Sequence, residues 1–228
     1  MKKTLLILLL LAATTIARAQ GDVEYLAEIG GGVGLVAYEG DCNGNILKGQ
    51  QPMAQLVFRR LFNPRSGVKA TASYGKLKGS SANVNTYYPA FSTTPYDFNT
   101  NLVDVSATYE YNLWPYGTGR EYRGAKRLVP YLFGGLGLTY ASTSNDKKPV
   151  TVNMPLGIGM KYKIADRLNL GLEWAMHFSQ SDELDGIKDP YEVKSSGIFK
   201  NTDCYSMLQL SLTYSFMAKC RTCHNADE

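Results

Sequence analysis

The sequence predicts an all-β fold: an eight-stranded antiparallel transmembrane β-barrel with both termini in the periplasm. Three observations carry this expectation. Apolar and polar side chains alternate every second residue, the N-terminus has the form of a secretion leader, and the connections between strands run short and long in turn. The alternation is clearest between Val152 and Phe178. Val152, Met154, Leu156, Ile158, Met160, Tyr162 and Ile164 share one parity; after Ala165-Asp166-Arg167, so do Leu168, Leu170, Leu172, Trp174, Met176 and Phe178. The other parity carries Asn153, Lys161 and Lys163, then Asn169, Glu173 and His177. Side chains on a strand point to opposite faces with period two, so this is a hairpin with one apolar and one polar face.

Such a hairpin fits a soluble sandwich, whose apolar face is core, or a membrane barrel, whose apolar face meets lipid. The leader decides between them. Lys2 and Lys3 precede the apolar run Leu5 to Leu11, and Ala17-Arg18-Ala19 before Gln20 has the small-x-small form of a signal-peptidase site. Residues 1–19 are therefore read as a signal cleaved near Ala19, residues 20–218 as the barrel and residues 219–228 as a periplasmic tail. The mature part contains no run of about 18 apolar residues, which excludes helical spans. The formal net charge of +4 falls to +1 when Lys2, Lys3 and Arg18 leave, so no nucleic-acid partner is expected. With 22 Gly and 16 Tyr against two His, the composition favours strands and turns. No linker-like stretch divides the chain.

The other strands follow by the same parity test. Ile29 to Tyr38 is a glycine-rich first strand; Met53 to Leu61 and Val68 to Leu77, with imperfect alternation, are the second and third. Leu102 to Asn112 alternates cleanly, with Val103, Val105, Ala107, Tyr109 and Tyr111 against Asp104, Ser106, Thr108, Glu110 and Asn112. Tyr131 to Ala141 is the fifth and Tyr205 to Phe216 the last. At roughly nine to thirteen residues each, these strands are near the length that crosses a bilayer at a barrel's tilt.

Outer-membrane barrels have short periplasmic turns and longer outer loops. The outer loops are expected at 39–52, 78–101, 142–151 and 179–204, and the inner turns at 62–67, 113–130 and 165–167. The long inner connection from Leu113 to Arg127 stands out, because a structureless turn of this length needs a reason. It concentrates Trp114, Tyr116 and Tyr122 with Arg120, Arg123, Lys126 and Arg127. These residues suit an interfacial girdle over lipid head groups. They equally suit a docking surface for a periplasmic partner, since Trp, Tyr and Arg dominate interface energetics.

The inward parity supplies Asp104, Glu110, Lys161, Lys163, Glu173 and His177. Unpaired, these would be costly inside a narrow lumen, so an internally paired, plugged interior without porin activity is expected.

The stretches Trp-Pro-Tyr-Gly-Thr-Gly at 114–119, Val-Pro-Tyr-Leu-Phe-Gly-Gly-Leu-Gly at 129–137 and Pro-Leu-Gly-Ile-Gly-Met-Lys-Tyr-Lys at 155–163 carry a resemblance. Asn-Leu-Gly-Leu-Glu-Trp at 169–174, Asp182 to Ile187 and Asn201 to Phe216 extend it over about half of the mature chain. In order and spacing the chain resembles the small outer-membrane barrels of Bacteroidetes typified by PorG, a component of the type IX secretion system. The resemblance implies an outer-membrane element associated with a periplasmic ring of PorK-like and PorN-like proteins.

Other motifs are weaker. His177-Phe178-Ser179 has the His-x-Ser form of eight-stranded lipid A deacylases, but parity turns His177 and Ser179 inward, away from lipid. Cys42 and Cys204 fall near the first and last strands, where a disulfide would staple the closing seam. Cys220 and Cys223, in Cys-Arg-Thr-Cys-His, have the form of a haem attachment site with no surrounding domain to enclose a porphyrin, and suit a local or intermolecular disulfide better. Asp182, Glu183, Asp185 and Asp189 read as a solvated acidic loop. No cofactor, resident metal or catalytic group is expected. The function expected is a non-enzymatic barrel of a Gram-negative outer membrane, in contact with lipid and lipopolysaccharide, that docks a periplasmic secretion ring. The alternative is a small OmpA/OmpX-like barrel with a structural or surface-interaction role; a lipid A deacylase comes third.

Overall fold

A computed structural model describes residues 24–39, 49–80, 97–118, 124–143, 150–180 and 203–218. The described residues form eight strands: β1 Tyr25–Glu39, β2 Gln51–Asn63, β3 Ser66–Ser80, β4 Asp97–Asn112, β5 Leu128–Thr143, β6 Val150–Lys163, β7 Leu168–Ser179 and β8 Cys204–Ala218. Each pairs antiparallel with the next, and β8 returns to β1 over the whole span from Tyr25↔Ala218 to Glu39↔Cys204, which closes the barrel. The seam is tight. A Cβ at Gly30, Gly32 or Gly34 would strike the Leu212, Leu210 or Leu208 carbonyl of β8, which explains the glycine row in β1.

Three connections, the short 64–65 and 164–167 and the longer 113–127, lie at the end that carries Glu24 and Ala218; the other four leave from the opposite, far end. On the outward face Ile29, Val33, Leu56, Val105, Leu136, Ile158, Leu172 and Leu210 are exposed, while Phe62, Tyr109, Tyr162 and Tyr214 stand outward near the terminus end. The inward face carries the buried charge. Polarity is thus inverted relative to a soluble barrel.

Most strands exceed the expected length, β4 by the largest margin at its far end, where its partner β3 is lengthened too. There the pattern reverses. Lys76, Lys78, Asp97, Asn99 and Asn101 point outward and are exposed, while Leu77, Phe98 and Leu102 point inward and are buried. Lys76 pairs with Asn101, Lys78 with Asn99 and Ser80 with Asp97, so the expected loop at 78–101 is in part ordered ladder. The inward apolar residues here join Val36, Tyr38, Met53, Ala141, Tyr205 and Met207 in one cluster filling the far end of the lumen. A strand of 15 residues such as β3 rises about 38 Å along a barrel axis at the usual tilt. An apolar belt needs only about 25 Å. The surplus is built as a soluble protein would be, polar outside and apolar inside.

Candidate functional site

The lumen and its closure at the terminus end form the candidate site. Its centre is Arg59, whose guanidinium pairs with Glu28, lies 2.7 Å from Glu110 Oε2 through Nε, and lies 3.5 Å from Glu173 Oε1. Lys69 Nζ is 2.5 Å from Glu173 and 3.5 Å from Glu110, and Lys161 Nζ is 2.5 Å from Glu110. Three cations therefore meet three carboxylates, all nearly inaccessible to solvent. The Tyr131 hydroxyl donates to Glu173, and Asn112 Oδ1 accepts from Lys161 at 3.2 Å. Strand β1 aims Glu28, β2 Arg59, β3 Lys69, β4 Glu110, β6 Lys161 and β7 Glu173 at one point.

Two aromatic rings support this cluster. Tyr131 faces Gly159 and Phe133 faces Gly157 as direct cross-strand partners. In each case the ring occupies the space a Cβ on the glycine would need, with Tyr131 Cζ 2.5 Å from the Gly159 position. The covered glycine thus has an aromatic lid, and the pair fixes the β5–β6 register. The same rings face cations: Lys161 lies 4.2 Å from the Tyr131 centroid and Lys69 4.2 Å from that of Phe133.

A second polar group sits nearer the far end. Asp104 Oδ2 accepts from Asn153 at 2.6 Å, from the Tyr205 hydroxyl at 3.0 Å and from Thr139 at 3.3 Å. His177 Nδ1 is 3.8 Å from the same oxygen, and the imidazole stacks on Tyr205 with centroids 4.6 Å apart. Between the two groups, a space bordered by Lys69, Ser106, Phe133, Glu173 and His177 measures about 10 Å³, roughly one water molecule.

The described parts of the long 113–127 connection, 113–118 and 124–127, form a strap across the terminus end. The Tyr116 amide donates to the Pro64 carbonyl at 2.9 Å, and Gly117 N and Lys126 N donate to Lys126 O and Pro115 O at 3.1 and 2.8 Å. Lys163 N donates to Arg127 O at 2.9 Å, while the Thr118 hydroxyl donates to Glu24 at 2.7 Å. The strap therefore ties β1, the β2–β3 turn and β6 together. Gly124, at a φ of 64°, provides the left-handed residue its return needs.

The strap corrects one expected role. Tyr116 is not on the outer rim: it is 7 % exposed and projects into the lumen end, 5.2 Å from Lys163 Nζ and 5.8 Å from Lys161 Nζ. Burial, reinforced by Glu28, pushes its hydroxyl well above the ordinary tyrosine pKa. The Tyr116 backbone, tied to Pro64, turns the ring inward, where it fills the lumen end beside the Lys161 and Lys163 ammonium groups. Trp114 remains 44 % exposed with Lys126 4.4 Å over its ring, and Arg127 is exposed, its Nε donating to Thr118 O at 2.8 Å. Arg120, Tyr122 and Arg123 lie outside the described residues.

Of the expected lumen residues, Glu110, Lys161 and Glu173 meet in the central network and Asp104 and His177 in the second group. Lys163 stands apart at the terminus end, 3.2 Å from Asn169 Oδ1. Glu28, Arg59 and Lys69 were missed. Arg59 and Arg60 are adjacent on a strand with apolar residues on both parities, so the sequence does not tell which points inward; the register that sets Arg59 opposite Glu28 across β1 and β2 does. His177 and Ser179 both face the lumen, as parity required, and the Ser179 hydroxyl lies 3.4 Å from that of Thr151. Cys204 heads β8 opposite Glu39. Cys42, Cys220 and Cys223, like the acidic loop at 182–189, lie outside the described residues.

Fold and site together define a small closed barrel with an apolar exterior, an ion-paired interior and a strapped end. The chain belongs to the family described as a domain of unknown function, DUF6089, which matches residues 2–225. No curated protein matches it in sequence. Among solved structures it is similar to Ail, the attachment invasion locus protein of Yersinia pestis, at 13% identity and a TM-score of 0.49, over 85% of this chain and 100% of that one. It is also similar to Neisserial surface protein A (12%, 0.47, 86% and 100%) and to OprG of Pseudomonas aeruginosa (12%, 0.46, 87% and 99%). At these scores the likenesses add nothing to the closure that the strand pairing itself establishes.

Proposed function

We propose that this protein is a plugged outer-membrane barrel that serves, without catalysis, as a component of a type IX-like protein secretion machinery. The observation that carries the membrane reading is the inverted polarity: aliphatic side chains cover the outside while six charges meet inside. Exposed to water, that outer surface would be an apolar patch far larger than a soluble monomer carries. Covered by hydrocarbon it is stable, and the strands of the described residues pair in a closed circle with no free sheet edge, as a bilayer demands. The leader at 1–19 supports export, and the short-turn end then faces the periplasm.

The filled lumen argues for an anchor or adaptor and against a pore. The secretion role rests on the resemblance at 114–119, 129–137 and 155–163 to PorG-like barrels. The docking face is the outer side of the strap, where Trp114, Lys126 and Arg127 are exposed beside Arg120, Tyr122 and Arg123 in the sequence. PorK-like and PorN-like ring proteins are the partners expected there. The same geometry also suits the second reading, a small OmpA/OmpX-like barrel whose far end meets lipopolysaccharide. A lipid A deacylase fits poorly, since His177 and Ser179 are sealed inside.

Detergent extraction followed by affinity purification tests the reading. The secretion role requires a periplasmic ring to co-purify and to be lost in Arg123→Glu/Lys126→Glu. A double variant that keeps the ring and full secretion refutes the docking face, and a wild-type barrel that brings down no ring favours the second reading.

A further inference from the structure

The outer wall of the barrel is not uniform. Toward the terminus end of β5, β6 and β7, the side chains of Pro130, Leu132, Ile158, Met160, Leu172 and Trp174 stand around a groove of about 430 Å³. Its floor is backbone at Tyr131, Gly159 and Glu173, because Tyr131 and Glu173 send their side chains into the lumen and Gly159 has none. The groove runs to Leu113 at the edge of the strap, and charge appears there. The Arg65 guanidinium donates to the Leu113 carbonyl at 3.3 Å, and the Lys126 ammonium lies over Trp114, the next residue. Neither cation enters an ion pair among the described residues.

We infer that this is a site for one anionic phospholipid of the periplasmic leaflet, with an acyl chain in the groove and the phosphate held by Arg65 and Lys126. The inference rests on the membrane reading above. The groove is continuous with the wall that hydrocarbon covers, so a flexible chain fills it; left empty, its lining would lose dispersion contacts on one side. The groove alone would accept the tail of any lipid. The two cations at its mouth supply the selection, since a guanidinium and an ammonium hold a phosphate through charge-assisted hydrogen bonds and favour a head group with net negative charge.

Trp174, in the groove wall, is the reporter, read in a Trp114→Phe background because the chain's second tryptophan would emit as well. The mature chain is reconstituted in phosphatidylcholine vesicles, and tryptophan emission is followed as phosphatidylglycerol or phosphatidylcholine brominated at mid-chain replaces the host lipid. Brominated phosphatidylglycerol is expected to compete about fivefold better, the factor that roughly one basic residue near an anionic surface supplies. Arg65→Gln/Lys126→Gln is expected to abolish that preference while leaving quenching by brominated phosphatidylcholine unchanged. Equal quenching by the two lipids in the wild type overturns the site and leaves the membrane reading standing. A preference that survives the double variant overturns the phosphate contact, and no quenching by either lipid overturns both readings.

Discussion

Replacing Arg59 by methionine removes the central cation of the lumen while keeping much of its volume. The consequences differ for its three carboxylate partners. Glu110 retains Lys161 at 2.5 Å and Lys69 at 3.5 Å, and Glu173 retains Lys69 at 2.5 Å together with the Tyr131 hydroxyl. Glu28 is left with the Thr213 hydroxyl at 3.4 Å. The variant therefore strands one buried carboxylate, and breaking a buried pair in this way costs about 3 kcal/mol or more. Adding Glu28→Gln removes the stranded charge, so Arg59→Met/Glu28→Gln is expected to be more stable than Arg59→Met alone, with a coupling of at least about 1 kcal/mol. Urea titrations of the reconstituted barrel, read by tryptophan emission and by gel mobility of the folded form, supply both numbers. A single-variant loss below about 1 kcal/mol, or strictly additive effects, would refute the account of the network.

Four further outcomes follow from other parts of the barrel. Gly159→Ala is expected to destabilise by about 1–3 kcal/mol because its Cβ meets the Tyr131 ring, and Tyr131→Ala in the same chain should relieve part of that loss; an unchanged urea midpoint for Gly159→Ala contradicts the ring-over-glycine packing. Tyr116→Ala should cost about 3 kcal/mol by emptying the stoppered end, and a loss under about 1 kcal/mol would show that the strap closes the lumen without it. With native cysteines replaced, a cysteine at Asn99 should react with a membrane-impermeant maleimide on intact cells while one at Val105 stays protected; the reverse pattern would invert the orientation or move the lipid boundary. Reduction and alkylation should shift the mass if Cys42 and Cys204 are bridged, and an identical mass before and after refutes that bridge.

Strand identity was legible wherever one parity is uniformly apolar, as on β6, β7 and the terminus half of β4. It blurred on β2, where Met53, Val57 and Leu61 turn inward while Leu56, Phe58 and Phe62 turn outward, so both parities look greasy. It failed at the far ends of β3 and β4 for a different reason. There Leu77, Phe98 and Leu102 face inward and Lys76, Asn99 and Asn101 outward, so a rule that assigns apolar residues to lipid ends the strand too early. The paired interior was foreseen in kind, through Glu110, Lys161 and Glu173, but half of its members came from strands whose register the sequence does not state. The strap's inward tyrosine was hidden because an aromatic beside arginines looks the same whether it faces a partner or plugs an opening.

The meeting point of Glu28, Arg59, Lys69, Glu110, Lys161 and Glu173 draws on six separate strands, from near one end of the chain to well past its middle. On a flat ribbon Lys161 of β6 would stand two strands from Glu110 of β4, and Glu173 of β7 four strands from Lys69 of β3, so these later charges would lie bare against oil until the sheet curls. Glu28, Arg59, Lys69 and Glu110 already balance on the first four strands, but the last two charges find their counterions only across the rolled-up bore, so insertion that stops short of curling is punished.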